Sequence, residues 1–412
     1  METPKSPSAG GPAATGQRLM SVDALRGLDM FWILGGEAIL LALHEMSRNP
    51  VTEFFAYQLD HAEWEGFRFY DLIFPLFVFL MGVSTVFSLS KIIATEGRAA
   101  AVKRVLRRGL LLFVIGLIYS GGFTNPWPDM RLMGVLNRIA LCYTAGGLLF
   151  IFLNTRLLVA AATALLLGYW AVMMYAPFPD VRLDPAATNV VTRATAKDKT
   201  TINLASTNII HGTFIQGVNY ANYIDQKYLP GRKYDGTYDP EGLLSTWPAV
   251  VTGLLGIFAG LLLRQSKVSD LAKVGWLLGA GAMCVALGFL WGTQFPVIKK
   301  IWTSSYVLVA GGYSAMLLGA FYWIVDIKQW RTWCQPFVWI GMNPITLYLA
   351  SNFMGGGGFM KLGRRLAGGP VKEFFDTHVA AGCGSFVIAL VGVLLFVWFA
   401  NFLYRRKIFL RL

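Results

Sequence analysis

Ten stretches of this 412-residue chain are apolar over 17 to 23 residues: 24–44, 68–90, 107–123, 132–152, 157–176, 246–263, 274–291, 303–325, 336–353 and 383–404. A helix crossing the hydrocarbon core of a bilayer needs about 20 such residues. The composition points the same way. Hydrophobic residues are 55% of the chain, charged residues only 14%, and mean hydropathy is +0.52. Ordinary soluble domains carry roughly 25% charge. The expectation is an all-α polytopic integral membrane protein with about ten transmembrane helices. The third run is the weakest, because Arg107 and Arg108 must snorkel from its start.

Charges between the runs set the expected orientation. With the N-terminus inside, the inner segments carry 19 Lys and Arg and the short outer segments carry 8. Cytoplasmic loops are the ones enriched in these residues. An even number of spans returns the C-terminus to the cytoplasm as well. Much of the net charge of +13 is thereby topogenic, and a nucleic-acid partner loses its main support. Residues 1–17 are rich in Pro, Ser, Gly and Ala, carry no secretory pattern, and read as a disordered tail. Residues 18–412 read as a single transmembrane domain with a large extracytoplasmic loop at 177–245. The four cysteines are scattered with no zinc or disulfide spacing and read as packing residues; no metal site is expected. Aromatic residues of the loop, Tyr220 to Trp247, suit either a sugar-binding surface or an interfacial belt.

Ionisable residues inside membrane spans are costly and mark functional sites. Asp23 and Arg26 open the first span and are spaced to pair; Glu37 lies about 21 Å further along. His61 precedes the second span and Asp71 sits about a turn inside it. Arg138 is about 10 Å deep in the fourth. Glu37, His61, Asp71 and Arg138 therefore gather at similar depth from three segments. A proton acceptor, an orienting carboxylate and a buried cation make a catalytic set. A structural ion pair of Arg138 with a carboxylate is the competing reading. In the ninth run, Pro344 predicts a kink, beside which Asn343 bonds the freed carbonyl or faces a cavity.

Several strings resemble the heparan-α-glucosaminide N-acetyltransferase family and its bacterial relatives. They are Arg18-Leu-Met-Ser-Val-Asp-Ala-Leu-Arg-Gly27, the block from His61 through Asp71 and Pro75 to Gly82, Gly134-Val-Leu-Asn-Arg138, Tyr238-Asp-Pro-Glu-Gly242 and Gly341-Met-Asn343. They fall in order over about residues 18–352. The resemblance implies transmembrane acetylation. Acetyl-CoA is the cytoplasmic co-substrate, an amino sugar or glycan on the other face is the acceptor, and His61 is the catalytic residue. It also implies a homodimer. One departure concerns a family Asn about eleven residues before the His: position 50 is Pro50, so Asn49 or Glu37 takes that role.

In this reading His61 is a general base or a transient acetyl carrier, with Asp71 orienting it or pairing with Arg138. Arg138 or Asn343 steadies the oxyanion. Arg26, Lys103, Arg104, Arg107, Arg108 and Asn343 are candidates for holding CoA, although the topology rule also accounts for the basic ones. Asn49, Trp64, Tyr238, Asp239 and Glu241 are candidates on the acceptor side, where a structural turn at 238–241 is the alternative. The expected location is a bacterial inner membrane, with the site opening to the periplasm. Competing functions are a secondary transporter of a small polar solute and a membrane O-acyltransferase acting on periplasmic glycans.

Overall fold

The computed structural model describes residues 19–183, 202–355 and 357–410. The expected tail at 1–17 lies outside them, as does part of the 177–245 loop. The fold is all-α and polytopic. Helices α1 (Met20–Phe31) and α2 (Glu37–Met46) are joined by a wide turn at Trp32–Gly36, where Gly35 has φ 112° and no other residue type fits comfortably. Then follow α3 (Pro50–Gln58), α4 (Phe69–Glu96), α5 (Arg98–Tyr119), α6 (Val135–Phe152) and α7 (Thr155–Tyr175). The large loop contains a two-stranded antiparallel ribbon, β1 (Phe178–Pro179) with β2 (Ile209–Ile210), and α8 (Tyr220–Tyr228). The chain continues through α9 (Thr246–Arg264), α10 (Asp270–Gly292) and α11 (Ser304–Phe321) to α12 (Gln335–Met342) and α13 (Pro344–Phe353). It closes with α14 (Gly358–Ala367), α15 (Pro370–His378) and α16 (Cys383–Arg405).

Eight segments among the described residues are long and apolar enough to cross a membrane: 20–46, 69–96, 135–152, 155–175, 246–264, 270–292, 304–327 and 383–405. The two expected runs outside this set are helical but differ for stated reasons. The first is α5, whose opening half holds Arg98, Lys103, Arg104, Arg107 and Arg108. The second is broken into α12 and α13. Pro344 lacks an N–H and disfavours a helical residue before it, and Asn343 accordingly has φ −132° and ψ 42°. The ends of α5 and α13 nevertheless meet. Asn352 Nδ2 donates to the Tyr119 carbonyl at 2.8 Å, and Tyr119 stacks on Tyr348 at 4.4 Å.

Helices α4 and α9 are the most enclosed and form the middle of the bundle. They touch backbone to backbone. A Cβ on Gly82 would lie 2.0 Å from the Gly253 carbonyl oxygen, and one on Gly256 would lie 1.9 Å from that of Phe79. Small residues allow such approach where lipid supplies no hydrophobic drive between helices. Helices α7 and α10 are the least enclosed and turn residues such as Trp276 and Leu290 outward. Such faces are those of a protein solvated by lipid.

Pro75 lies inside α4 and removes the donor that the Asp71 carbonyl would otherwise use. The Tyr306 hydroxyl of α11 donates to that carbonyl at 2.8 Å. The first turn of α4, with Asp71 in it, is thereby fixed to α11.

Candidate active site

Asp71 is the third residue of α4 and is fully buried. Its Oδ2 accepts from the backbone amides of Ala62 and Arg68, both at 3.1 Å. This is helix capping by a residue in the first turn, and it fixes the plane of the carboxylate. The other oxygen, Oδ1, is left for side chains. His61 Nδ1 lies 2.9 Å from it, and Lys299 Nζ lies 3.3 Å from it. A carboxylate only accepts, so the 2.9 Å contact calls for the imidazole proton on Nδ1, and the Lys299 ammonium then bonds Asp71 and not the ring. Nε2 is then the free, basic nitrogen. The ring is half exposed, and Tyr70 packs against its flank at 4.9 Å.

Lys299 comes from the segment 293–303 between α10 and α11. That segment is tied to the His61 loop by Gly66 N donating to the Val297 carbonyl at 2.9 Å and by a bridge between Glu65 and Ile298. Lys299 Nζ lies 3.0 Å from His61 Nδ1. Burial holds its ammonium below the ordinary lysine range, and the charge of Asp71 pulls it back up. The next residue, Lys300, pairs with Asp235 of the large loop at 2.9 Å.

Arg138 does not reach Asp71. It is fully buried on α6, and its Nη2 donates to the Ser245 hydroxyl and, at 3.5 Å, to the Gly242 carbonyl. Its guanidinium lies 4.8 Å over the ring of Trp302, three residues beyond Lys299. Among the described residues, Nε and Nη1 of Arg138 are buried without a hydrogen-bond partner. Two N–H groups on a buried cation are therefore available to an anionic or carbonyl oxygen. Glu37 opens α2, with Oε2 buried and unbonded, and is close enough to Tyr70 to act on it electrostatically.

The acceptor-side candidates lie elsewhere. Asn49 is exposed and caps α3, its Oδ1 accepting from Val51 and Thr52 at 3.0 Å. Trp64 donates from Nε1 to the Phe214 carbonyl at 2.7 Å and meets Tyr238 edge to face. Tyr238, Asp239 and Glu241 are buried in the fold of the large loop. Arg131 grips Asp239 through Nε at 2.8 Å and Nη2 at 2.7 Å, and Glu241 at 2.6 Å. Asp225 accepts from the Leu243 amide at 2.9 Å. Burial pushes Asp225 up to about 7. Burial, and then the nearby charge of Asp239, does the same for Glu241. Three carboxyls face the two cations Arg131 and Arg138, so the cluster retains a proton near neutrality.

The basic candidates divide by helix face. Lys103 and Arg107 turn outward with Arg98 and line an open groove of about 820 Å³ that ends at Phe152. Arg104 and Arg108, four residues apart, turn inward, and the Nε of each is buried and unbonded among the described residues. Arg108 lies 4.9 Å over the ring of Tyr143, whose hydroxyl is also buried without a partner. Arg26 is engaged by Asp23, Ser84 and the Gly341 carbonyl. Asn343 is buried with both polar side-chain atoms unbonded.

Comparison with known proteins follows this geometry. The family model of heparan-α-glucosaminide N-acetyltransferase, catalytic, matches residues 18–197. The human heparan-α-glucosaminide N-acetyltransferase is 25% identical over 390 residues, covering 81% of this chain and 52% of that protein. The mouse protein is 24% identical over 389 residues, covering 82% and 53%. The chain spans about half the length of these curated relatives. The matched stretch holds His61, Asp71 and Arg138, and over most of its length the chain is similar to these heparan-α-glucosaminide N-acetyltransferases.

Proposed function

We propose that this protein is a transmembrane acetyltransferase. It moves an acetyl group from acetyl-CoA, taken from the cytoplasmic face, to the amine of an amino sugar on the opposite face. The observation that carries the proposal is the His61–Asp71 pair, with the carboxylate held by two backbone amides and Nε2 of the imidazole left free. A fixed carboxylate that sets the imidazole tautomer is what a general base requires.

In the reaction, the acceptor nitrogen attacks the thioester carbonyl and passes a proton to His61 Nε2. The carbonyl oxygen gains negative charge and is met by the two open N–H groups of Arg138, or by the amide of Asn343. When the C–S bond breaks, the leaving thiolate takes the proton back from the imidazole, which ends as it began. In a two-step variant Nε2 itself attacks first and carries the acetyl group. Trapping labelled acetyl on His61 in the absence of acceptor would select that variant.

The inward pair Arg104 and Arg108 is the reading's site for the phosphates of CoA. Their buried, unbonded Nε atoms fit a polyanion, whereas Lys103 and Arg107 face away.

The test is CoA release by the purified protein given acetyl-CoA and glucosamine. Release by wild type that is abolished in His61→Ala supports the reading. Unchanged release in that variant refutes the site. Dissipation of a solute gradient in proteoliposomes without acetyl-CoA turnover would establish a transporter instead.

A further inference from the structure

Lys299 belongs to no part of the mechanism so far. Yet its ammonium nitrogen lies 3.0 Å from His61 Nδ1 and 3.3 Å from Asp71 Oδ1, closing a triangle with the two groups. The placement is built. The Glu65–Ile298 bridge and the Gly66–Val297 hydrogen bond fix the backbone on one side. On the other side, the Trp302 indole donates to Thr252 at 3.2 Å, and the Lys300–Asp235 pair holds the neighbouring side chain away.

We infer that Lys299 is a positioning residue that holds His61 in its neutral form, by neutralising Asp71 and by standing beside Nδ1. The inference rests on the proposed acetyltransferase reading for its consequence in catalysis. The physical reasoning is independent of the reaction. An unopposed carboxylate 2.9 Å from an imidazole draws a second proton onto the ring. An imidazolium ion loses its value as a base. A cation at hydrogen-bond distance from both groups opposes that protonation directly. A like charge within 4–6 Å shifts such an equilibrium by roughly 1–3 pH units. The same cation speeds return of the proton from His61 to the leaving group.

The remaining charges near the ring do not duplicate this role. Arg68 is committed to Asp60 at 3.1 Å, and Lys300 to Asp235. Glu63 and Glu65 are exposed. Glu37 acts on Tyr70, and Glu241 acts on Lys299 itself.

Two measurements on full-length protein in detergent test the inference, using Lys299→Met, Lys299→Gln and Lys299→Arg. The first is the pH dependence of His61 carbethoxylation by diethyl pyrocarbonate, followed on the His61 peptide by mass spectrometry. The reagent modifies only neutral imidazole, so it reads the ring without any catalytic turnover. The midpoint should move up by about 1–2 pH units in the neutral variants and stay near wild type in Lys299→Arg. The second is the acid limb of the rate of CoA release, which should move with it, activity recovering on the alkaline side. A midpoint unmoved in both neutral variants overturns the inference, as does an equal loss of rate at every pH. If the midpoint moves but wild type releases no CoA, the acetyltransferase reading fails while the role of Lys299 stands.

Discussion

Replacing Asp71 by Asn changes one oxygen to nitrogen and tests the proposed chemistry at its centre. The carboxylate accepts two backbone amides on Oδ2 and faces His61 Nδ1 and Lys299 on Oδ1. A carboxamide has one accepting atom and one donating atom. Turned with its NH2 toward Ala62 and Arg68, it would set donors against two donors and lose both bonds. Its oxygen therefore stays with the amides, and its nitrogen faces His61. Nδ1 must then accept, and the ring proton moves to Nε2, the atom required to be basic. The loss is that of a general base in the wrong tautomer, about 10³–10⁴ in kcat. At 1.36 kcal/mol per decade that is about 4–5.5 kcal/mol of barrier. KM for glucosamine should change little, because Asp71 is buried behind the imidazole. Thermal stability should fall as well, because Lys299 loses the carboxylate it pairs with even though the two backbone contacts survive. The assay is initial-rate CoA release at pH 7 and pH 9, since a tautomer defect is not rescued by alkali. A kcat within tenfold of wild type, or full rescue at pH 9, would refute the tautomer argument.

Tyr306→Phe should cost about 1–3 kcal/mol of stability, because the Asp71 carbonyl, already deprived of its helical donor by Pro75, loses its remaining one. Adding Pro75→Ala returns the helical N–H, so the double variant measured by thermal melting in detergent should be more stable than Tyr306→Phe alone; simple additivity of two losses would sink this account. Asp225 and Glu241 are held near 7 against an unfolded value near 4, so their contribution to stability is fully present below about pH 4 and is lost as pH rises through about 7. Wild type should therefore melt higher at pH 5.5 than at pH 8, with a smaller difference in Glu241→Gln. Gly82→Val should prevent α4 and α9 from closing, since its Cβ meets a backbone carbonyl at 2.0 Å, whereas Gly168→Ala, with open space at the Cβ, should fold normally. Expression yield and monodispersity after detergent extraction compare the two.

Much of this arrangement was legible in the residues. Hydrophobic runs located the spans, because lipid forces every backbone polar group into a helix. The His61–Asp71 contact followed from one residue at the rim and one a turn inside. The broken span followed from Pro344. Two things were not legible, for different reasons. Asp239 and Glu241 read as acceptor-side candidates or as part of a structural turn. Their burial depends on Arg131, 108 and 110 residues away, and on how the loop folds back on α6. Lys299 lies 238 residues from His61 and read only as one more charge. A signal was present all the same. In the expected topology Lys299 and Lys300 fall in an outer segment, where the charge rule does not explain them. Lysines in that position each need a carboxylate, and they find Asp71 and Asp235.

Along α5, the inward arginines stand well away from the helix end that meets α13. Arg108 precedes Tyr119 by eleven residues, about 16 Å of helix, and Arg104 by about 22 Å. Tyr119 stacks on Tyr348 at the end where α13 closes and where the large loop is anchored by Arg131. Five residues before Tyr348 stands Asn343, with both polar atoms unbonded among the described residues and the broken backbone beside it. Irregular backbone at that depth is tolerated where it lines a cavity or is buried in protein. A donor with a charged head and a reactive thioester at its far end suits such a path better than a small solute does, since a solute has no use for inward cations along α5. Asn343→Leu separates the cases. It should raise KM for acetyl-CoA, with glucosamine KM unchanged, if the donor passes the break. An unchanged KM for acetyl-CoA would place the path elsewhere.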